Sequence, residues 1–302
     1  MFKNIEKKII LGGAQLGFDY IQDESEVQQI EKKSYEILAA ATRFGIKKVD
    51  TAKSYGESET NIFSYCQKEE TNLIVDTKLN ININPNSTAS SLEEILQNEL
   101  EYIHQIRKNC SVDILYIHDF KQFASNDFLI ARILKNYENS HFKRLGVSVY
   151  TPAEAKIALK SNIVDTIQIP FNILEDRWDE IFKIFPTSNF IARSIFLQGL
   201  LLNELSPRWK EIKEENKENI FKWLDNILEK LKIDNLYELL ISYVMTKHDF
   251  YGLIIGFNSK NEVVNIMSDL KIKKLEKDEM FFIDSSRPKI TNTTLDPRKW
   301  NE

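Results

Sequence analysis

The stretch "RLGVSVYTPAEAKIALKSNIVDTIQIP", residues 144–170, contains a complete strand–helix–strand unit. A short run rich in β-branched residues stands at each end, as expected for strands that are buried on both faces. Between the runs, Thr151 can cap a helix that has Pro152 at its first position. Two strands joined by a helix run parallel, so the stretch predicts a parallel sheet covered by helices.

The same unit recurs along the chain. Six further strand candidates are "KKIILGG", "IKKVD", "NLIVDTK", "VDILYIH", "FIARS" and "GLIIG". Eight strands alternating with helices in 302 residues favour an α/β fold of the (β/α)₈ TIM barrel type over an open doubly wound sheet. The open sheet would place G-x-G-x-x-G after the first strand, and "LGGAQLG" does not supply it. We expect a single domain over residues 1–302, with a C-terminal tail from about residue 271.

Composition narrows the class of partner. Lys plus Arg number 40 and Asp plus Glu number 45, so the formal net charge is −5. This mild acidity argues against nucleic acid or a membrane surface as a partner. Cys66 and Cys110 lack metal-ligand spacing, so we expect no metal, two reduced thiols and a cytoplasmic protein. No apolar run reaches the ~18 residues of a membrane span. We expect a monomer or small homo-oligomer.

Polar residues stand where the early strands end. Asp50 closes the second strand and Tyr55 follows in its loop, while Lys78 and His118 close the third and fourth strands. The carboxyl ends of barrel strands meet at one rim, so these four side chains should lie together. Each alone is more often structural. Asp76 shares a strand face with Lys78 and is an alternative partner for its ammonium.

These segments resemble the aldo-keto reductase superfamily. The resemblance is carried by "VDTAKSYGESE", "DTKL" and "LYIHD", followed in order by "RLGVSVYTPAE", "VDTIQIPFNIL", "IARSIFLQGLLL" and "GLIIGFNSKNEVVNIMSDL". It extends from about residue 9 to residue 270. It implies a barrel oxidoreductase that uses NADP(H) or NAD(H) without a Rossmann fold. It also implies a catalytic role for Asp50, Tyr55, Lys78 and His118.

The chemistry of such a tetrad follows from the residue types. Reduction of a carbonyl needs a hydride at carbon and a proton at oxygen. A phenol with a reference pKa near ~10 donates reluctantly at neutral pH, and a neighbouring cation makes it a better donor. Lys78 would be that cation, held by Asp50. Tyr55 would be the acid, and His118 would orient the substrate oxygen.

The resemblance also implies cofactor contacts. Ser148 and Gln168 would hold the carboxamide, although Val149 stands where the family usually has asparagine. Arg193 replaces the aromatic residue that often stacks on the nicotinamide. It could face the pyrophosphate, face an anionic substrate, or form a structural salt bridge. Further candidate contacts are Ser194, Gln198, Gly199, Leu200, Gly256, Asn258, Ser259, Glu262 and Asn265.

Cofactor preference and substrate are less constrained by the sequence. Glu262 stands where NADPH-preferring members often carry arginine. Its carboxylate favours NADH, while Lys260 could restore NADPH binding.

Candidate walls of the substrate pocket are Phe18, Tyr20, Phe120 and Phe196. The tail with Trp300 could cross the pocket mouth or simply be anchored. Aldehydes, ketones and sugars all suit such walls as small-molecule substrates.

Two other functions remain open from sequence. One is a nicotinamide-dependent sugar-modifying enzyme without net redox change. The other is a cofactor-binding subunit with vestigial activity, which the departures at Val149 and Arg193 would allow. The other histidines, His104, His141 and His248, lie away from the predicted rim and favour solvated or capping roles.

Overall fold

A computed structural model describes residues 4–17, 24–79, 81, 88–107, 110–212, 214 and 216–300. Phe18 and Tyr20 lie outside the described residues. The eight strands form a closed parallel barrel in sequence order, which confirms the predicted fold. They are β1 (Ile9–Gly12), β2 (Lys48–Asp50), β3 (Ile74–Leu79), β4 (Ser111–Ile117), β5 (Arg144–Ser148), β6 (Thr166–Pro170), β7 (Asn189–Arg193) and β8 (Gly252–Gly256).

Helices surround the barrel. They are α1 (Glu24–Arg43), α2 (Ser58–Lys68), α3 (Ala89–Arg107), α4 (Phe120–Ala124), α5 (Leu129–Lys135), α6 (Pro152–Ser161), α7 (Asp179–Ile184), α8 (Arg208–Glu211), α9 (Lys217–Leu231), α10 (Leu236–Lys247), α11 (Lys260–Ser268) and α12 (Lys277–Ser286). The capping prediction for α6 is confirmed, because the Thr151 side chain accepts from the backbone of Glu154 while Glu154 caps in return. Four short 3₁₀ segments complete the described structure.

The barrel interior is layered. Ile10, Ile114, Tyr116 and Ile191 form a small apolar cluster separate from the main core. Gly146 makes room for the Tyr116 ring, since a Cβ there would lie 2.6 Å from two ring carbons. A charged group elsewhere in the barrel joins Lys48 to Asp76 and Asp113 by ion pairs of 3.0 and 2.8 Å. The interior is a packed core, as in other barrels of this type.

The expectation of two reduced cysteines is wrong. Cys66 near the end of α2 and Cys110 just before β4 form a disulfide, with their Cα atoms 6.4 Å apart. The two cysteines are 44 positions apart in the sequence, with β3 and α3 between them, and the barrel brings them to neighbouring positions. Sequence spacing alone does not report this proximity. The cysteines therefore give no support to a reducing compartment.

The C-terminal tail is packed against the barrel. Arg287 Nε donates to the carbonyl of Ile173, and Trp300 is buried with its indole donating to the carbonyl of Thr294. Thr294 also donates its hydroxyl to the buried carboxylate of Glu214. These contacts favour the anchored-tail alternative for Trp300.

Within the described ranges, none of the helices is both long enough and apolar enough to cross a membrane.

Candidate active site

Lys78 and Asp50 form a buried ion pair where β3 and β2 end. The ammonium donates to Asp50 Oδ2 at 2.5 Å and to the carbonyl of Thr51 at 2.8 Å. The exposed fractions of the two side chains are 1% and 5%. Burial alone would lower the pKa of Lys78, but the charges of Asp50 and Tyr55 raise it above its ordinary value. Lys78 therefore stays a cation at neutral pH.

Asp76 does not compete for this ammonium. Its Oδ2 lies 3.0 Å from Lys48 Nζ, and its Oδ1 accepts from the backbone N–H of Ile114 at 3.1 Å. Burial raises the pKa of Asp76 to about 7, against the opposing charge of Lys48. The alternative pairing with Lys78 is therefore not adopted, and Asp50 holds the rim lysine.

Tyr55 and His118 lie beside this ion pair. Lys78 Nζ is 5.0 Å from the centroid of the Tyr55 ring, and the Tyr55 and His118 rings meet edge to face at 6.0 Å. Burial, followed by the charges of Lys78 and Arg193, lowers the pKa of His118 to about 4. The imidazole is therefore neutral at physiological pH and carries one N–H donor.

Two glycines fix the loop that carries Tyr55. A Cβ on Gly17 would lie 1.8 Å from the carbonyl oxygen of Tyr55, so the two segments touch backbone to backbone. Gly56 has φ +54°, and a Cβ there would lie 2.3 Å from the carbonyl oxygen of Gly17. Side chains at these positions would push the loops apart. The loop after β2 is thus fastened to the segment after β1, with Tyr55 held between β2 and α2.

A cavity of about 730 Å³ opens at the carboxyl ends of the strands. Asp50, Tyr55 and His118 line it, while Lys78 lies buried behind them. Of the other predicted residues, those lining the cavity are Ser148, Gln168, Arg193, Ser194, Phe196, Gln198, Gly199, Gly256, Asn258 and Glu262. The predicted residues that do not line it are Leu200, Ser259, Asn265 and Phe120.

Other residues that line the cavity were not predicted from the sequence. The additional lining residues are Gly12, Gly13, Ala14, Gln15, Tyr150, Ile195, Leu202, Arg208 and Ile254. The first four end or directly follow β1, so the strand-end rule applied to that strand would have found them. Arg208 carries no such signal, because it reaches the cavity from α8 and donates to Gln198 Oε1 at 3.0 Å.

Gln168 and Ser148 form a polar pair inside the cavity, as register partners on β6 and β5. Gln168 Nε2 donates to Asp50 Oδ1 at 2.8 Å, which orients the amide. Gln168 Oε1 is buried and has no hydrogen-bond partner within the described part of the chain. An unsatisfied buried acceptor costs about 1–3 kcal/mol, so the position fits a ligand that donates an amide N–H.

The start of α11 forms another edge of the cavity. Ser259 caps the helix by accepting from the backbone of Glu262 at 3.2 Å. Glu262 Oε2 in turn accepts from the backbone N–H of Asn258 at 2.6 Å and from its side chain at 3.2 Å. The carboxylate therefore holds the loop after β8 and places negative charge at this helix N-terminus.

Arg193 enters the cavity from the end of β7. Its Nη2 donates to the carbonyl of Val149 at 3.3 Å, and its guanidinium carbon lies 4.1 Å from the centroid of the Tyr150 ring. Among the residues that the structure describes, no carboxylate forms an ion pair with it, so the salt-bridge alternative finds no partner there.

The loop after β7 is conformationally strained where it lines the cavity. Ser194, Leu197 and Gln198 have φ values of 58°, 49° and 54°, in the left-handed region that non-glycine residues seldom adopt. Strain of this kind is retained when the surrounding structure imposes it, and it is common at functional sites. The strained loop after β7 and the tetrad therefore lie at the same cavity.

The fold and the rim define a (β/α)₈ barrel with a buried ion pair, a tyrosine and a neutral histidine at the mouth of a ligand-sized cavity. The chain belongs to the Aldo/keto reductase family, whose model matches residues 8–287. Members of this family are oxidoreductases that use NADP(H) or NAD(H) as cofactor. The orphaned acceptor on Gln168 fits the carboxamide of that cofactor.

Solved structures agree on the fold. The glycerol dehydrogenase from Gluconobacter oxydans is 18% identical, with a TM-score of 0.72 over 92% of this chain and 90% of its own. The holo form of an aldo-keto reductase from Bacillus halodurans is 16% identical, with a TM-score of 0.73 over 96% and 95%. No curated protein sequence matches the chain. At these identities the likeness supports the barrel rather than a substrate.

Proposed function

We propose that this protein transfers a hydride between NAD(P)H and the carbonyl group of an aldehyde, ketone or sugar. Tyr55 acts as general acid in reduction and as general base in the reverse direction. The observation that carries the proposal is the buried Lys78–Asp50 ion pair, whose ammonium lies 5.0 Å from the Tyr55 ring at the cavity wall.

The roles follow from charge and burial. Bound NAD(P)H supplies the hydride. Lys78, kept cationic by Asp50, stabilises the negative charge that remains on the Tyr55 oxygen after its proton moves to the substrate. His118 is neutral, so it contributes a hydrogen bond to the substrate oxygen rather than a positive charge. Gln168 links cofactor and tetrad, because it also donates to Asp50.

The cofactor contacts are part of the proposal. Ser148 and Gln168 hold the carboxamide, and the segment from Gly256 to Ser259 donates to phosphate oxygens through the backbone N–H groups that the Glu262 carboxylate does not occupy. Arg208, fixed by Gln198, adds a cation for the pyrophosphate. Among the remaining candidates, Ser194, Gly199, Leu200, Ser259 and Asn265 shape or support these segments.

Fluorescence titration with NADH and NADPH tests the cofactor part directly. We expect at least one to bind, and binding of neither would contradict the proposal. A panel of aldehydes, ketones and sugars then tests the reaction through loss of absorbance of the reduced nicotinamide. Formation of a new product without such loss would instead indicate sugar modification without net redox change.

A further inference from the structure

Arg193 presents unused donors to the cavity. A guanidinium has five N–H donors, and the structure assigns one hydrogen bond to that of Arg193, the 3.3 Å contact with Val149. The residue is half-buried and lines the cavity. The carboxylate of Asp50, on the same wall, is already occupied by Lys78 and Gln168. Among the residues that the structure describes, none therefore compensates the charge of Arg193 on the cavity side.

Tyr150 and the C-terminal tail hold this guanidinium in place. The Tyr150 ring contacts Arg193 at 4.1 Å and Arg298 at 3.6 Å, measured from each guanidinium carbon to the ring centroid. Asp296 binds Arg298 through two hydrogen bonds of 2.9 and 2.7 Å. Trp300, buried in the tail, anchors this segment. A guanidinium stacked in this way is pre-organised for planar, two-pronged hydrogen bonding.

The position of Arg193 points to the substrate end of the cavity. After burial and Lys78, the charge of Arg193 is the next largest influence that lowers the pKa of His118. It also opposes the protonated state of Lys78. The guanidinium also lines the same cavity as Asp50, Tyr55 and His118, and its hydrogen bond to the carbonyl of Val149 holds it at this wall. Phosphates of the cofactor are expected elsewhere, near Gly256 and Asn258.

We propose that Arg193 binds an oxyanion carried by the substrate, a carboxylate or a phosphate, and that Tyr150 and Arg298 are positioning residues for it. This inference builds on the proposed function and names the substrate class as small carbonyl compounds with an anionic group. The carbonyl would face Tyr55 and His118 while the anionic group pairs with Arg193 through charge-assisted hydrogen bonds.

Matched pairs of compounds test this inference by binding rather than turnover. Calorimetry on the protein saturated with NAD⁺ would compare 4-oxobutanoate with its methyl ester, and glyceraldehyde 3-phosphate with glyceraldehyde. The first pair measures the effect of a carboxylate on affinity, and the second pair measures the effect of a phosphate. We expect one anionic member to bind at least ~10-fold more tightly than its neutral partner, the ratio that one charge-assisted hydrogen bond provides.

Substitutions of individual arginines test whether Arg193 causes the tighter binding of the anionic compounds. Arg193→Gln should abolish the anionic preference, and Arg298→Gln should reduce it partly because the stacked arrangement loosens. Arg132→Gln is the matched control, which removes an arginine on the protein surface outside the cavity and should leave the ratio unchanged. Nuclear magnetic resonance on Arg193→Gln should also show a raised pKa of His118.

The outcomes separate this inference from the proposed function. Equal affinity for anionic and neutral partners in the wild type would overturn the oxyanion site. So would a preference that survives Arg193→Gln, or an Arg193→Gln variant that loses NADH affinity with an unchanged ratio. Failure of the proposed function appears differently, as absence of nicotinamide binding or turnover. In that case the same calorimetry without NAD⁺ still decides whether Arg193 binds an oxyanion.

Discussion

Lys78 Nζ lies 2.5 Å from Asp50 Oδ2, and the two side chains are only 1% and 5% exposed. Two opposite charges at this depth depend on each other, because either one alone would be a buried, uncompensated ion. The ion pair therefore contributes to the stability of the fold as well as to the proposed proton transfer. Denaturation measures the first contribution, and steady-state kinetics measures the second.

Removing Lys78 should destabilise the fold. In Lys78→Met the carboxylate of Asp50 keeps its hydrogen bond from Gln168 but loses its counter-ion, at a cost of about 3–5 kcal/mol. The double variant Lys78→Met with Asp50→Asn removes both charges and should recover much of that loss. Urea denaturation of both variants and the wild type measures this, and equal loss in the single and double variants would contradict the coupling.

Asp76 should make stability fall as pH rises. Its pKa is about 7 in the fold, mainly because of burial, against an ordinary value of 3.8. Between these values the folded chain retains a proton that the unfolded chain releases, so the free energy of unfolding decreases up to about pH 7. Asp76→Asn should remove this contribution, and its stability relative to wild type should increase from pH 5 to pH 7.

Asp284→Asn provides the matched control for that experiment. Burial opposes ionisation of Asp284, but hydrogen bonds from Lys247 and Tyr243 keep its pKa below the ordinary value. The stability that the Asp284 carboxylate contributes therefore changes only in more acidic solution. If the Asp76→Asn and Asp284→Asn variants show the same pH dependence between pH 5 and pH 7, the assignment to Asp76 fails.

His118 should titrate near pH 4. Because its pKa is lowered in the fold from 6.5, mainly by burial, stability associated with the neutral ring is present above about pH 6.5 and is lost as pH falls towards 4. Nuclear magnetic resonance of the ring protons measures the value. An inflection near pH 6.5 would show that the ring is not buried as described.

Glu262 should disfavour NADPH. Its carboxylate at the start of α11 would repel a 2′-phosphate, whereas a ribose 2′-hydroxyl can donate to it. Glu262→Gln keeps an acceptor for Asn258 and removes the charge, so the affinity for NADPH should rise relative to that for NADH. Lys260→Gln, which removes a neighbouring cation, should shift the ratio the other way. An unchanged ratio in Glu262→Gln would exclude this residue from cofactor discrimination.

Much of the barrel and its rim was predictable because local signals carry it. The strand–helix alternation gave the fold, and the strand-end rule brought Asp50, Lys78 and His118 to one edge. The Cys66–Cys110 disulfide and the Tyr150–Arg298 contact were not predictable, because each joins segments that are distant in the sequence and carry no periodic pattern. Their pairing depends on barrel closure and on the path of the tail.

We propose that Tyr55 transfers the proton during nicotinamide-dependent carbonyl reduction. The most direct measurement compares steady-state oxidation of NAD(P)H by the wild type and by Tyr55→Phe, on the best substrate of the panel. Phenylalanine keeps the ring beside Lys78 and removes only the hydroxyl. We expect kcat to fall ~10²-fold or more in Tyr55→Phe, with NAD(P)H affinity retained. An unchanged kcat would contradict it.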